Sequence, residues 1–123
     1  MKVILSIKPE FCRAIFAGEK RYEYRRRLFK QPVDKVLIYA TCPICKIVGE
    51  FSADKILSAT PELLWEETQQ YSGVEKPFFD KYFEGIEEAH ALHISALRWY
   101  DKPLDPKTLD ASFVAPQSFT YVP

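Results

Sequence analysis

Gly18-Glu19-Lys20-Arg21-Tyr22-Glu23-Tyr24-Arg25 is the stretch of sequence that decides the fold and the position of a candidate site. The glycine suits the residue after a helix, because glycine adopts a positive φ without steric cost. The aromatic residues that follow favour a β-strand, in which side chains alternate between two faces. Tyr22 and Tyr24 would then face the core. Glu23 and Arg25 share the opposite face, where their opposite charges are expected to form an ion pair.

The charges in this stretch allow two interpretations. Charged runs are usually solvated, and a Glu and an Arg two residues apart on a strand can be a surface pair contributing under ~1 kcal/mol. Alternatively, the strand lines a cleft in which Arg25 presents its planar guanidinium to a phosphate or a base edge. Lys20 would then lie at the rim of the cleft, Arg26 would be a weaker contact, and nearby aromatic rings would stack on bases.

The length of 123 residues predicts one domain over residues 1–123, and 47% apolar and 28% charged residues are ordinary globular values. No apolar run approaches the roughly 18 residues of a membrane span. The N-terminal residues 1–5 enter an apolar segment without the basic lead of a signal peptide. We therefore expect a cytoplasmic protein without a membrane partner.

Net charge is zero, but the charges are unevenly distributed along the chain. Residues 1–46 contain 11 Lys and Arg against 4 Asp and Glu, a net charge of +7. Residues 47–123 contain 6 against 13, a net charge of −7. If the N-terminal third lies together in space, its basic face would attract an anionic partner in a salt-dependent manner.

The predicted elements alternate between short strands and a few helices. Strands are expected at residues 3–7, 22–27, 35–41, 46–57 and 89–99, with a bend near Gly49 and a short edge strand at Phe119 and Tyr121. Helices are expected after Pro9, at Thr60-Pro61-Glu62 and around a stripe of Phe78, Phe79, Tyr82 and Phe83 assigned to the core. A Pro-rich irregular tail follows from about residue 101. The pattern predicts an α+β fold, a partly closed β-barrel of five to six strands with two to three flanking helices.

The three cysteines are expected to be free thiols in a reducing compartment. Cys42-Pro43-Ile44-Cys45 is half of a zinc site, but only Cys12, His90 and His93 remain to complete it, and their spacing does not resemble a zinc finger. The sequence therefore predicts neither a metal site nor a cofactor.

The segments at residues 3–9 and 18–26 resemble the ASCH domain family, a branch of the PUA-like superfamily. The family signature Gly-x-Lys-x-x-Glu-x-Arg is matched here by Gly18, Lys20, Glu23 and Arg25. Segments at residues 38–40, 47–51, 65 and 82–83 look like the branch described as proposed transcriptional regulators. The resemblance covers about residues 3–109.

This resemblance implies a cleft that is lined by the signature and binds RNA or a modified nucleotide through Lys20, Glu23, Arg25 and Arg26. Whether the protein is an enzyme stays open. Some small members resemble amidohydrolases that act on acylated cytidine with a Lys, a Thr and a Glu; Lys20 matches the Lys, but Glu23 stands at the Thr position. Ribonuclease activity is a further alternative.

In an enzyme, a desolvated Lys20 would be a base or nucleophile and Glu23 would move a proton. In a binding module, Glu23 would stay ionised beside Arg25 and Lys20. A third hypothesis is a regulatory module that acts through a protein partner. No helix-turn-helix pattern is evident, so we do not expect sequence-specific DNA binding.

Overall fold

The computed structural model describes residues 1–122, which form one six-stranded sheet with three α-helices. The strands are β1 (Lys2–Ile7), β2 (Tyr22–Arg25), β3 (Lys35–Ala40), β4 (Lys46–Ala59), β5 (Ala89–Leu104) and β6 (Phe119–Val122). The helices are α1 (Pro9–Phe16), α2 (Pro61–Thr68) and α3 (Lys76–Tyr82), and short 3-10 turns cover Gln69–Tyr71 and Pro106–Thr108. The strand order is β2-β5-β4-β3-β1-β6, with β1 and β3 parallel and the other pairs antiparallel.

The sheet curls until its two edges approach each other. Arg25, at the end of edge strand β2, donates a hydrogen bond to Ser118, which precedes edge strand β6. The backbone N–H of Lys30, beyond β2, donates to the hydroxyl of Tyr121 in β6 at 2.9 Å. The predicted α+β class and partly closed barrel are therefore confirmed.

Two of the three apolar clusters within residues 1–122 pack against α1 and β2. Alternate residues of β1 and β3, including the predicted face Val36, Ile38 and Ala40, pack with α1 in the barrel interior. Tyr24 of β2 packs with residues of α2, α3 and β5 in a second cluster. Helix α2 begins as predicted, because the Thr60 hydroxyl accepts a hydrogen bond from the Leu63 N–H at 3.4 Å.

The observed strands differ from the predicted ones mainly at their ends. Strand β2 stops at Arg25, two residues early, because its partner β5 begins opposite it with His90 paired to Arg25. Strand β5 continues to Leu104, so the chain is not irregular from residue 101. The first half of β4 supplies the partners for this extension, with Gly49 opposite Trp99. The register shift beside Gly49 confirms the predicted bend.

The prediction of free thiols is wrong for two of the three cysteines. Cys42 and Cys45 form a disulfide across the turn between β3 and β4, where their Cα atoms lie 4.5 Å apart. The short separation of Cys42 and Cys45 in the sequence does not by itself show that the turn brings their thiol groups together. Cys12 is free and buried in α1. None of the helices within residues 1–122 is long and apolar enough to cross a membrane.

Candidate functional site

A cleft of about 300 Å³ lies where the two edges of the curled sheet face each other. The end of β1 and the start of α1 form one wall, β2 and the chain before it form the second, and α3 forms the third. Its lining residues are Ser6, Ile7, Lys8, Phe11, Lys20, Glu23, Tyr24, Arg25, Val74, Phe78, Phe79, Tyr82 and Gln117. The structure therefore brings together the predicted site residues Lys20, Glu23 and Arg25.

Lys20 is buried, with 2% of its surface exposed, so the prediction that it lies at the rim is wrong. A backbone bridge to Ser72 draws Lys20 inward, and its Nζ donates to the Ser72 carbonyl at 3.0 Å. The amine also lies 5.0 Å from the ring centroid of Tyr24 and 5.5 Å from that of Phe11. Burial lowers the pKa of Lys20, and the nearby Glu23 carboxylate only partly opposes this.

Glu23 is the only acidic residue that lines the cleft within the described chain. Its Oε2 atom is buried without a hydrogen-bond partner. Burial raises the pKa of Glu23, while Lys20 and Arg25 act in the opposite direction. The prediction that Glu23 pairs tightly with Arg25 is wrong, because no nitrogen of Lys20 or Arg25 lies within 4.0 Å of the carboxylate in residues 1–122.

Arg25 is oriented toward the opposite edge of the sheet rather than toward Glu23. It donates to the Ser118 hydroxyl, and its guanidinium carbon lies 5.8 Å from the ring centroid of Phe119. Its Nε is buried without a hydrogen-bond partner. Arg26 lies outside the cleft, in a neighbouring groove, with its guanidinium carbon 6.0 Å from the ring centroid of Tyr82.

The two tyrosines of β2 hold the strand in the second apolar cluster, as the alternation predicts. Tyr24 is buried, and its hydroxyl shares a 2.6 Å hydrogen bond with the hydroxyl of Thr68. Its ring packs edge-on against Phe79 at 5.0 Å. Tyr22 is half-buried against the same cluster. This packing fixes the backbone from which Glu23 and Arg25 enter the cleft.

Two contributors to the site were missed in the sequence. The aromatic stripe predicts Phe78 in the core, which is wrong. Of that stripe only Phe79 and Phe83 are buried, whereas Phe78 is 41% exposed and forms part of the cleft wall. A seven-residue helix buries only one side, and the stripe of four aromatic residues is wider than that side. Ser118 carries no signal in the sequence, because only the curling of the sheet brings it to Arg25.

The other candidate residues lie away from the cleft. His90 Nδ1 is 2.7 Å from the Ser58 hydroxyl, and His93 Nδ1 is 2.6 Å from Asp54. Trp65 packs against Phe79. Within residues 1–122, no group of three or more His, Cys, Asp or Glu side chains is placed to hold a metal ion. A larger cavity of about 870 Å³ between α2 and α3 does not suit an anion, because five acidic side chains line it beside Lys76. These are Glu62, Glu66, Asp80, Glu84 and Glu87.

The fold and cleft define a class of small α+β proteins in which a partly closed barrel carries a basic, aromatic cleft between its edges. The model of the ASCH domain matches residues 5–98. The chain belongs to the ASCH domain family.

Two relatives from Zymomonas mobilis agree with this assignment. An ASCH domain-containing ribonuclease from Zymomonas mobilis is 31% identical over 128 residues, covering 98% of this chain and 84% of the relative. A crystal structure of ASCH from Zymomonas mobilis superposes with a TM-score of 0.89 at 29% identity, covering 99% of this chain and 87% of that one. An ATP synthase subunit alpha from Ureaplasma parvum is 31% identical over 121 residues, but the chain spans 15% of its length.

Proposed function

We propose that the cleft binds RNA, or a nucleotide unit of RNA, through Lys20, Glu23 and Arg25, with Arg26 as an outer contact. The observation that carries this proposal is the set of cations in the cleft. Lys8, Lys20 and Arg25 line it, and none of them forms an ion pair within residues 1–122. Unpaired cations beside aromatic rings suit a ligand that has both phosphates and bases.

The family relationship supports the same ligand. The relative from Zymomonas mobilis is named as a ribonuclease, and the similarity extends over nearly the whole of this chain. A protein that cleaves RNA must bind it. We therefore favour RNA over other polyanions for the cleft.

Binding of a random-sequence RNA pool to the wild type and to Arg25→Ala tests this proposal. Loss of a charge-assisted contact should weaken binding by roughly 1.5–3 kcal/mol, and wild-type affinity should fall with added salt. Arg13→Ala is the matched control, because Arg13 is an exposed arginine at a separate groove beside Trp99. Equal binding by wild type and Arg25→Ala would rule the proposal out.

RNA cleavage is the second candidate, and the burial of Lys20 and Glu23 favours it. Burial lowers the pKa of Lys20 and raises the pKa of Glu23, which moves each group toward its neutral form. A neutral amine can accept the proton of a ribose 2′-hydroxyl as that oxygen attacks the adjacent phosphorus. A protonated carboxyl can give its proton to the leaving 5′-oxygen, so the products are a cyclic phosphate and a free 5′-hydroxyl.

Turnover separates hydrolysis from binding alone. The wild type should cleave the RNA pool, and Lys20→Met, which keeps the side-chain length, should not. N4-acetylcytidine provides the parallel assay for the amidohydrolase alternative. Absence of a product from both substrates would leave the binding function and remove the enzymatic one.

The hypothesis of a protein partner is favoured by an apolar surface that shares no lining residue with the cleft. Phe16 is 68% exposed and Ile44 is 39% exposed, and both line a groove of about 370 Å³ with Trp99. Exposed apolar patches are typical of protein contacts.

Four further predictions stay predictions. They are membership of the regulator branch, membership of the PUA-like superfamily, the cytoplasmic location and the single domain over residues 1–123.

A further inference from the structure

The cleft shares lining residues with two separate grooves of opposite charge. On one side it shares Arg25, Tyr82 and Gln117 with a groove of about 630 Å³ that we call the arginine groove, because Arg25, Arg26 and Arg27 line it. No Asp or Glu of residues 1–122 lines this groove, and none of its three arginines forms an ion pair within them.

On the other side, the cleft shares Phe11, Val74 and Phe78 with a groove of about 490 Å³. We call it the glutamate groove, because Glu10, Glu19 and Glu75 line it. All three are exposed, and neither a Lys nor an Arg of the described chain lines the groove. None of the three carboxylates is neutralised by an ion pair within residues 1–122.

These charges act differently on a nucleic-acid strand. The arginine groove attracts phosphates, and the rings of Tyr82 and Phe119 beside its guanidinium groups offer surfaces for bases. The glutamate groove disfavours phosphates, since a strand that crosses it passes three carboxylates that no ion pair within residues 1–122 neutralises. If a strand passed through the cleft and continued over both grooves, repulsion by the glutamate groove would offset much of the binding free energy gained at the arginine groove.

We propose that the cleft takes the terminal nucleotide of a single-stranded RNA, and that the rest of the strand leaves over the arginine groove. This inference rests on the proposed RNA-binding function and adds that the ligand is a strand end rather than an internal segment or a free nucleoside. The cleft of about 300 Å³ has room for one nucleotide unit and none for a duplex. On the side of the glutamate groove, Glu10, Glu19 and Glu75 disfavour the phosphates of a continuing strand.

The test compares a linear and a circular RNA of the same random-sequence pool. Each is roughly 20 nucleotides long, more than the cleft and groove can hold, and carries an internal label, so the ends of the linear RNA stay free. Its 2′-hydroxyls are methylated, so the circle cannot be opened by attack of a 2′-oxygen. The wild type should bind the linear RNA about tenfold more tightly than the circle.

Neutralising the glutamate groove should remove this preference. The triple variant Glu10→Gln, Glu19→Gln, Glu75→Gln should bind the circle nearly as tightly as the linear RNA. The control is Glu62→Gln, Glu66→Gln, which changes the acidic cavity between α2 and α3 and should keep the wild-type ratio.

The outcomes distinguish the preference for a strand end from the proposed RNA-binding function. If wild type binds circle and linear RNA equally, and Arg25→Ala weakens both, RNA binding stands and the preference for a strand end is refuted. A ratio that is unchanged in the glutamate-groove variant refutes the charge barrier in the same way. If Arg25→Ala changes neither affinity, the proposed function fails and this inference fails with it.

Discussion

Gly73 lies directly against Lys20, so closely that a Cβ atom at Gly73 would be 2.7 Å from Lys20 Cγ and 3.0 Å from Lys20 Cα. The backbone of Gly73 has a φ of +68°, a conformation that side chains disfavour. The neighbouring Ser72 accepts the hydrogen bond of the Lys20 amine. Ser72 and Gly73 together therefore hold the Lys20 side chain in a buried position beside the cleft.

The first prediction concerns Gly73→Ala, with Gly85→Ala as its control. Gly85 also has a positive φ, +77°, but a Cβ there would meet nothing within 4 Å. Gly85→Ala should therefore lower the free energy of unfolding by about 1–2 kcal/mol, the cost of the left-handed backbone. Gly73→Ala should cost a further ~1–3 kcal/mol, because it also pushes against Lys20.

Urea unfolding of both variants measures this difference, and RNA affinity adds a second readout. Gly73→Ala should weaken RNA binding, because the displaced lysine no longer lies in the cleft, whereas Gly85→Ala should bind as the wild type does. Equal destabilisation by the two substitutions would contradict the close packing of Gly73 on Lys20.

The second prediction concerns the pH dependence of stability and the Glu23 carboxyl. Burial raises the pKa of Glu23, so the folded protein holds this proton more tightly than the unfolded chain does. The resulting stabilisation is fully present below the pKa that Glu23 has in the unfolded chain. It is lost as pH rises through the pKa that Glu23 has in the folded protein. Since glutamine does not ionise, Glu23→Gln should gain stability relative to the wild type as pH rises from about 4 to 8.

The difference in free energy of unfolding between Glu23→Gln and the wild type, measured by urea at both pH values, checks this sign. Glu19→Gln is the control, because Glu19 is exposed in the same turn. A difference that shrinks toward pH 8 would mean that the ionised carboxylate is stabilised in the fold.

The sequence predicts the fold well because its signals are local. Gly18 has the positive φ of +78° expected after a helix, and the Thr60-Pro61 start of α2 and the alternation of Val36, Ile38 and Ala40 appear as predicted. Each depends on the preference of one or a few residues within a single element.

The site is predicted less well because its character depends on contacts between distant segments. Strand alternation places Glu23 and Arg25 on one face, but Ser118 draws Arg25 away from Glu23 across 93 residues of chain. Lys20 is buried by Ser72, 52 residues away. Neither partner carries a recognisable motif, so the sequence indicates which residues form the site but not their burial or pairing.

The third prediction concerns Phe78, an aromatic ring that forms part of the cleft wall and is 41% exposed. If a base stacks on this ring, Phe78→Ala should weaken RNA binding by ~1–3 kcal/mol. Phe16→Ala is the matched control, since Phe16 is 68% exposed but packs edge-on against Trp99, away from the cleft. Equal RNA affinities for the two variants would show that Phe78 does not contact a base.

The fourth prediction applies to the catalytic candidate and uses Lys20 as the base. At the acid side of the profile the rate should rise with pH as Lys20 loses its proton, because only the neutral amine accepts a proton, and it should fall again when Glu23 loses the proton that it gives to the leaving oxygen. Burial lowers the pKa of Lys20 from the ordinary lysine value of 10.5, so the rising limb should lie below pH 10.5. Initial rates of RNA cleavage between about pH 6 and 9, corrected for cleavage without protein, give the profile.

Two variants separate a proton transfer by Lys20 from a merely structural role. Lys20→Met should lose the rising limb together with the activity, because methionine fills the same space but accepts no proton. Arg25→Lys should raise KM and leave the limb in place, since it alters a binding contact and not the base. A rising limb that persists in Lys20→Met would assign the base to another group, and a flat wild-type profile would mean that no group titrating in this range limits the rate.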